Sequence, residues 1–175
     1  MSKLNLLILD ANVVIYLQDA GIWTKFIDIC DVHLPETVVE EAAFYDDKDG
    51  DRHYIDLSDD IESDRIKTFE VPISELRKFQ NQFDSLYVDQ LDPGELEALA
   101  YLCKSEEQFF ISSGDAIVYR VLGRLSKGDQ GISLEEILMK VGLQQSELPR
   151  QFTKQFRESL TKQGFEDLMH GRGLK

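Results

Sequence analysis

The sequence predicts an α/β fold in three layers, α/β/α, with a central mostly parallel sheet between helices and a helical C-terminal extension. Three observations lead there. Short apolar runs alternate with helix-length amphipathic segments. The first run, within "LLILDANVVIYL", ends abruptly on an acid, Asp10, at the point where a strand of an open sheet meets its ligand-bearing loop. Beyond Ser126 to Gln130 the pattern turns helical throughout, so residues 1–132 read as the α/β domain and 133–175 as the extension.

In chain order, Leu4 to Leu9 is a buried strand by its continuous aliphatic run. Val13 to Leu17 and Ile22 to Ile29 are helices separated at Gly21. Val32 to Leu34 is a short strand; Pro35 then suits a helix's first turn, and Val38, Val39, Ala42 and Ala43 supply its apolar face. "DDKDGDRHYIDLSDDIESD", residues 46–64, reads as an acidic loop or mobile insert. Arg65 to Val71 alternates as a strand, and Ile73, Leu76, Phe79 and Phe83 fall on one helical face. A helix starts at Asp92 with Leu96, Leu99 and Leu102 inward, followed by the strand "QFFIS", Gln108 to Ser112, and a helix from Ala116 to Leu125. Gly131 and Ile132 make a last short strand. Helices follow over Ser133 to Val141, with a Ser133/Glu136 capping box, and over Glu147 to Met169.

A chain of 175 residues with 42% hydrophobic residues can bury one sizeable core. No apolar run approaches the ~18 residues of a membrane span, and Met1-Ser2-Lys3-Leu4 lacks a secretory pattern. Cys30 and Cys103 are far apart in apolar helical patterns and read as buried free thiols, which with the rest predicts a cytoplasmic protein. The net charge of −14 opposes a nucleic-acid partner. However, residues 40–64 hold eleven acids against Lys48 and Arg52, so most of the excess belongs to one segment.

The acids after strands carry the chemistry. Asp10 follows the first strand, and Asp115 follows "QFFIS" after Ser113-Gly114. Glu40 and Glu41 lie early in the helix after "VHL", and Glu95 lies in the first turn of the helix begun by Asp92-Pro93-Gly94-Glu95. Each alone also reads as a cap or a first-turn acid favoured by the helix dipole. Together, carboxylates converging without cations would repel, and a hard divalent ion resolves that conflict. His33, His53 and His170 are scattered and the cysteines lack ligand spacing, which excludes zinc.

With those residues in view, the chain resembles the PIN-domain nucleases, the family of the VapC-type toxins. "LLILDANVVIYL" resembles the opening strand with its Asp-x-Asn signature, assigning Asp10 and Asn12. "LPETVVEEA" resembles the second motif and matches Glu41, with Glu40 the neighbour if the register slips. "LDPGELEALAYL" resembles the third and favours Glu95 over Glu97; "FFISSGDAIVYRVL" resembles the fourth, giving Asp115, with Ser112 at a position that often carries a hydroxyl. The match spans residues 4–132, and the extension carries no motif.

The resemblance implies a PIN-like fold and a Mg²⁺- or Mn²⁺-dependent endoribonuclease. Asp10, Glu41, Glu95 and Asp115 would hold the metal and carry catalysis, while Asn12 and Ser112 orient a carboxylate or phosphate oxygen. It also implies a homodimer and, for a toxin, an antitoxin partner with a cation reaching the acids. Arg120, Arg124 and Lys127 share one side of their helix and would track RNA phosphates, with Lys104, Arg150, Lys154 and Arg157 adding to them. Two rivals stand beside this. A haloacid-dehalogenase-type phosphatase also opens on a strand ending in Asp but needs a second Asp where this chain has Asn12. A PIN fold acting as a binding or regulatory module would suit the negative charge.

Overall fold

The computed structural model describes residues 4–175, with the backbone alone for residues 4 and 5. The first half runs β1 (Leu4–Leu9), α1 (Ala11–Asp19), α2 (Trp23–Ile29), β2 (Cys30–Pro35), α3 (Glu36–Glu41), β3 (Phe44–Asp46), β4 (Arg52–Tyr54), α4 (Ser58–Glu62) and β5 (Ile66–Phe69). The second half runs α5 (Ile73–Gln80), α6 (Ser85–Val88), α7 (Pro93–Lys104), β6 (Phe110–Ser112), α8 (Ala116–Arg124), α9 (Leu134–Val141) and α10 (Lys154–Met169).

Four strands form one parallel sheet in the order β5-β2-β1-β6. Side chains alternate across it: Leu7 and Leu9 join one core with α1, α2 and α9, whereas Ile8 and Ile111 join a second with α7 and α8. The sheet is thus flanked by helices on both faces. This explains why β1 reads as unbroken aliphatic sequence, with Leu7, Ile8 and Leu9 all at most 1% exposed. The chain steps outward from β1 to β2 to β5, then returns to place β6 on the other side of β1. The strand order therefore reverses between β1 and β6, where open α/β sheets bind ligands. Gly131 adds a parallel bridge to Ile111, and Ile132 N–H donates to the Ile111 carbonyl at 3.0 Å.

The segment 46–64 is not the predicted loop. Its first part completes the antiparallel hairpin β3–β4, closed by Gly50 at φ +85°, and its last part is α4. Asp60 of α4 accepts hydrogen bonds from the Trp23 indole at 2.9 Å and from Arg65 at 2.8 Å. Opposite-charge and aromatic partners thus anchor α4 through the Asp60 carboxylate where composition alone reads as mobile. Sequence patterning also misses α6, whose start is capped by Asp84 accepting from Leu86 N–H at 3.0 Å. The last helix begins only at Lys154, because Pro149 precedes a 3₁₀ turn, Arg150–Phe152, and Thr153 caps α10.

The extension is continuous with the α/β body. Leu134, Ile137, Leu138 and Phe152 are buried in the same core as Leu7 and Val13. Across α8, α10 approaches so closely that a Cβ on Gly164 would lie 1.9 Å from the Arg120 carbonyl oxygen, and one on Gly123 2.1 Å from that of Thr161. Only glycine at both positions permits this backbone contact. Among the described residues no helix is long and apolar enough to cross a membrane.

Candidate metal centre

Asp10 ends β1 and caps α1. One carboxylate oxygen accepts from Val13 N–H at 2.9 Å; the other accepts from Gly114 N–H at 3.0 Å and from the Ser113 hydroxyl. The residue is 7% exposed, and burial pushes its pKa up to about 6, against the three hydrogen bonds and with help from the Asp115 charge. Ser113 reaches both acids, because its Oγ also accepts from Asp115 N–H at 2.9 Å. The turn after β6 therefore ties the two strand-end aspartates together.

Asp92, Pro93, Gly94 and Glu95 form the capping box that their order predicts: Asp92 accepts from Glu95 N–H at 2.8 Å and Glu95 accepts from Asp92 N–H at 3.0 Å. This box fixes the buried Glu95 carboxyl beside Asp115. Burial first, then the hydrogen bond and charge of Asp115 and the charge of Asp92, hold Glu95 far above the usual carboxylate range; the Asp92 amide opposes them. Asp92, Glu95 and Asp115 each present one oxygen, all within 4.8 Å of one another. Two ligands of one Mg²⁺ at 2.0–2.1 Å lie at most about 4.2 Å apart, a span close to the spread of these three oxygens.

Glu41, at the end of α3, completes the wall. Its Oε2 would lie 3.0 Å from a Cβ on Gly94, so the absence of a side chain there lets the carboxylate rest on the start of α7. Burial, then the charges of Asp92, Asp10 and Glu40, raise its pKa. Asp10, Asn12, Ile15, Val38, Glu41, Asp92, Gly94 and Glu95 line one cleft of about 230 Å³. Glu41, not Glu40, faces it. Among the described residues none of these acids forms an ion pair with Lys or Arg.

Several expectations need correction. Ser112 does not reach an acid: its hydroxyl is fully buried on the Tyr119 side, and the next residue, Ser113, plays that part. The period-two alternation of β6 turns Ser112 away. Arg120 and Arg124 are not an RNA-facing stripe. Arg120 donates to the buried Asp167 at 2.7 Å, and Arg124, 9% exposed, donates to the Arg172 carbonyl. The packing of α10 on α8 buries Arg124 and leaves Arg120 half-buried and paired, and Lys127 lies 3.5 Å from the Gln130 side-chain oxygen. Lys104 pairs with Glu75 and Arg157 with Glu136. Glu97 faces elsewhere, accepting from Val71 N–H at 2.9 Å and from the Thr37 hydroxyl. Cys103 is only partly buried, its thiol pushed up to about 11 by burial.

Sequence patterning misses Asp92, which reads only as a cap, and Ser113, which reads only as turn. The Asp-Pro-Gly-Glu and Ser-Ser-Gly-Asp strings hold the signal, since a cap's neighbours share its position. All donors are carboxylate oxygens, the chemistry that hard divalent ions select. Comparison with protein-family models, with curated proteins and with solved structures gives no match.

Proposed function

We propose that this chain is a Mg²⁺- or Mn²⁺-dependent endoribonuclease of the PIN type, with a PIN-like fold. Asp10, Glu41, Glu95 and Asp115 are its metal-holding acids and Asp92 a fifth. One observation carries the reading: acids from four separate segments meet at the β1/β6 switch point, and among the described residues no Lys or Arg pairs with them. Burial keeps Asp10 and Glu95 protonated well above their ordinary range, a cost that a cation removes.

In this reading a bound Mg²⁺ or Mn²⁺ supplies the positive charge that acidifies the attacking water and stabilises the phosphoryl oxygens. The protein's part is positioning. Val13 N–H, Gly114 N–H and Ser113 Oγ–H fix the Asp10 carboxylate, and the Asp92 cap fixes Glu95. Asn12, exposed at the cleft mouth, offers an amide to a phosphate or ribose oxygen.

The test is cleavage of single-stranded RNA with and without Mn²⁺. Asp10→Asn and Asp115→Asn are each expected to lose at least ~100-fold of the activity, as removal of a preorganised electrostatic group does. Undiminished cleavage in both variants, or no metal-stimulated cleavage by the parent, overturns the reading. The withdrawal of Arg120 and Arg124 favours a second reading, a regulatory module that binds the ion without cutting. That module would gain thermal stability from Mg²⁺ yet leave RNA whole. A toxin role adds an antitoxin segment presenting Arg or Lys to the acids, and a homodimer adds a second cleft.

A further inference from the structure

The C-terminal segment reaches the acids by a route the sequence gives no hint of. The 3₁₀ turn at Arg150–Phe152 covers the loop between Ser113 and Asp115. A Cβ on Gly114 would lie 2.9 Å from a Phe152 ring carbon, 3.4 Å from Gln151 Cγ and 3.5 Å from Asn12 Cβ. Between this turn and α1 lies a second cleft of about 370 Å³, which shares Asn12 and Ile15 with the acidic one. The two clefts adjoin along the Asn12–Ile15 edge of α1, and the second forms a trough.

Asn12, Tyr16 and Asp19 stand four and three residues apart on one face of α1 and run along this trough. From Asn12 to Asp19 the helix rises about 10 Å, the reach of a nucleotide from its phosphate to the far edge of its base. Tyr16 is half-buried against the buried ring of Phe152, centroids 5.1 Å apart, which fixes an aromatic wall. Gln151 stands opposite, exposed. At the far end, Asp19 is the last residue of α1, where the helix dipole disfavours a negative charge, and among the described residues it has no ion-pair partner. An acceptor-only group there repels a phosphate and suits a base that offers two adjacent N–H donors.

We infer that the trough is the nucleobase subsite of the proposed ribonuclease. It takes a guanine beside the phosphate held at the acids, with Tyr16 as the stacking wall and Asp19 accepting from the N1–H and N2–H edge. The inference rests on reading the acidic cleft as an RNA site. It gives the extension a role in substrate affinity, through Gln151 and Phe152. Among the four bases only guanine offers two adjacent donors to one carboxylate, so preference follows from Asp19 and affinity from Tyr16 and Gln151.

The experiment is calorimetric titration of the full chain with 5′-GMP and 5′-UMP in Mg²⁺, independent of cleavage. The parent is expected to bind GMP about tenfold more tightly than UMP, the scale of one bidentate base contact. Asp19→Asn is expected to remove that preference, bringing the two affinities within about twofold of each other. Gln151→Ala is expected to weaken both nucleotides about threefold. Absence of nucleotide binding, equal binding of GMP and UMP by the parent, or a preference retained in Asp19→Asn overturns the inference. Metal-stimulated cleavage together with any of these keeps the nuclease reading and removes the guanine subsite. Asp19-dependent GMP preference without cleavage does the reverse.

Discussion

Asp10 and Asp167 are both buried aspartates that accept hydrogen bonds from a hydroxyl and from N–H groups, yet the fold treats them oppositely. Asp167, 1% exposed, accepts from the Tyr87 hydroxyl at 2.7 Å and Arg120 at 2.7 Å, with Arg172 at 3.3 Å. Burial alone would raise its pKa, but Arg120, then Tyr87 and Arg172, pull it below the ordinary value. Asp10 receives two backbone N–H groups and Ser113 but, among the described residues, no cation, and burial wins, leaving it at about 6. Where an acid's work is to join α10 to α8, the chain neutralises it internally. At the β1/β6 cleft it does not, and that difference locates function better than the number of acids does.

The largest effect should come from breaking the neutralised pair. Asp167→Asn leaves the half-buried Arg120 facing a neutral amide and should cost about 3 kcal/mol. For a chain of this length that lowers the melting temperature by roughly 6–12 °C. A loss under 1 kcal/mol by urea denaturation would show the seam held by packing alone.

The pH dependence sharpens the contrast. Folded Asp10 keeps its proton up to about pH 6, whereas its ordinary value is 3.8. The folded state therefore binds more protons between these values, and its stability falls as pH rises from about 4 through 6. The fall amounts to about 3 kcal/mol at most. Without divalent ions the melting temperature should be higher at pH 5 than at pH 8, and Mg²⁺ should raise it more at pH 8. The net charge of −14 acts in the same direction, so Asp10→Asn supplies the control. If that variant keeps the full slope, Asp10 is not its source.

The same variant gives the third prediction. At pH 8 without metal, Asp10→Asn should change stability by less than about 1 kcal/mol, because removing an uncompensated buried charge offsets the acceptor lost to Val13, Gly114 or Ser113. The identical change at Asp167 removes a compensated charge and costs more. Equal losses in chemical denaturation would erase the distinction between the two regions.

Ser113→Ala should also have a small effect on stability, about 1 kcal/mol for the hydrogen bond to Asp10. Its metal affinity should fall about tenfold, since the Asp10 carboxylate loses the hydroxyl that orients it and the Asp115 backbone N–H loses its acceptor. Unchanged Mn²⁺ affinity by titration would reduce Ser113 to a turn residue.

Local signals carry much of the architecture. β1 is legible because three consecutive core residues leave no polar alternation, and α7 and α9 because Asp92/Glu95 and Ser133/Glu136 satisfy each other's backbone within four residues. The hairpin β3–β4 is not. Its charge density resembles a solvated loop, and what pairs it is a contact between opposite charges across the strands, Arg52 donating to Asp46 at 2.9 Å.

The sequence by itself determined that Asp10, Glu41, Glu95 and Asp115 sit at the starts or ends of elements, because strand and helix periods are local properties of the chain. Only the tertiary structure decided that Asp92 and Ser113 join them, that the C-terminal turn closes over Gly114, and that Arg120 and Arg124 face α10 instead of solvent. The reason is physical: a side chain's charge and partners depend on what desolvates it, and here the desolvating groups come from segments up to about a hundred residues away.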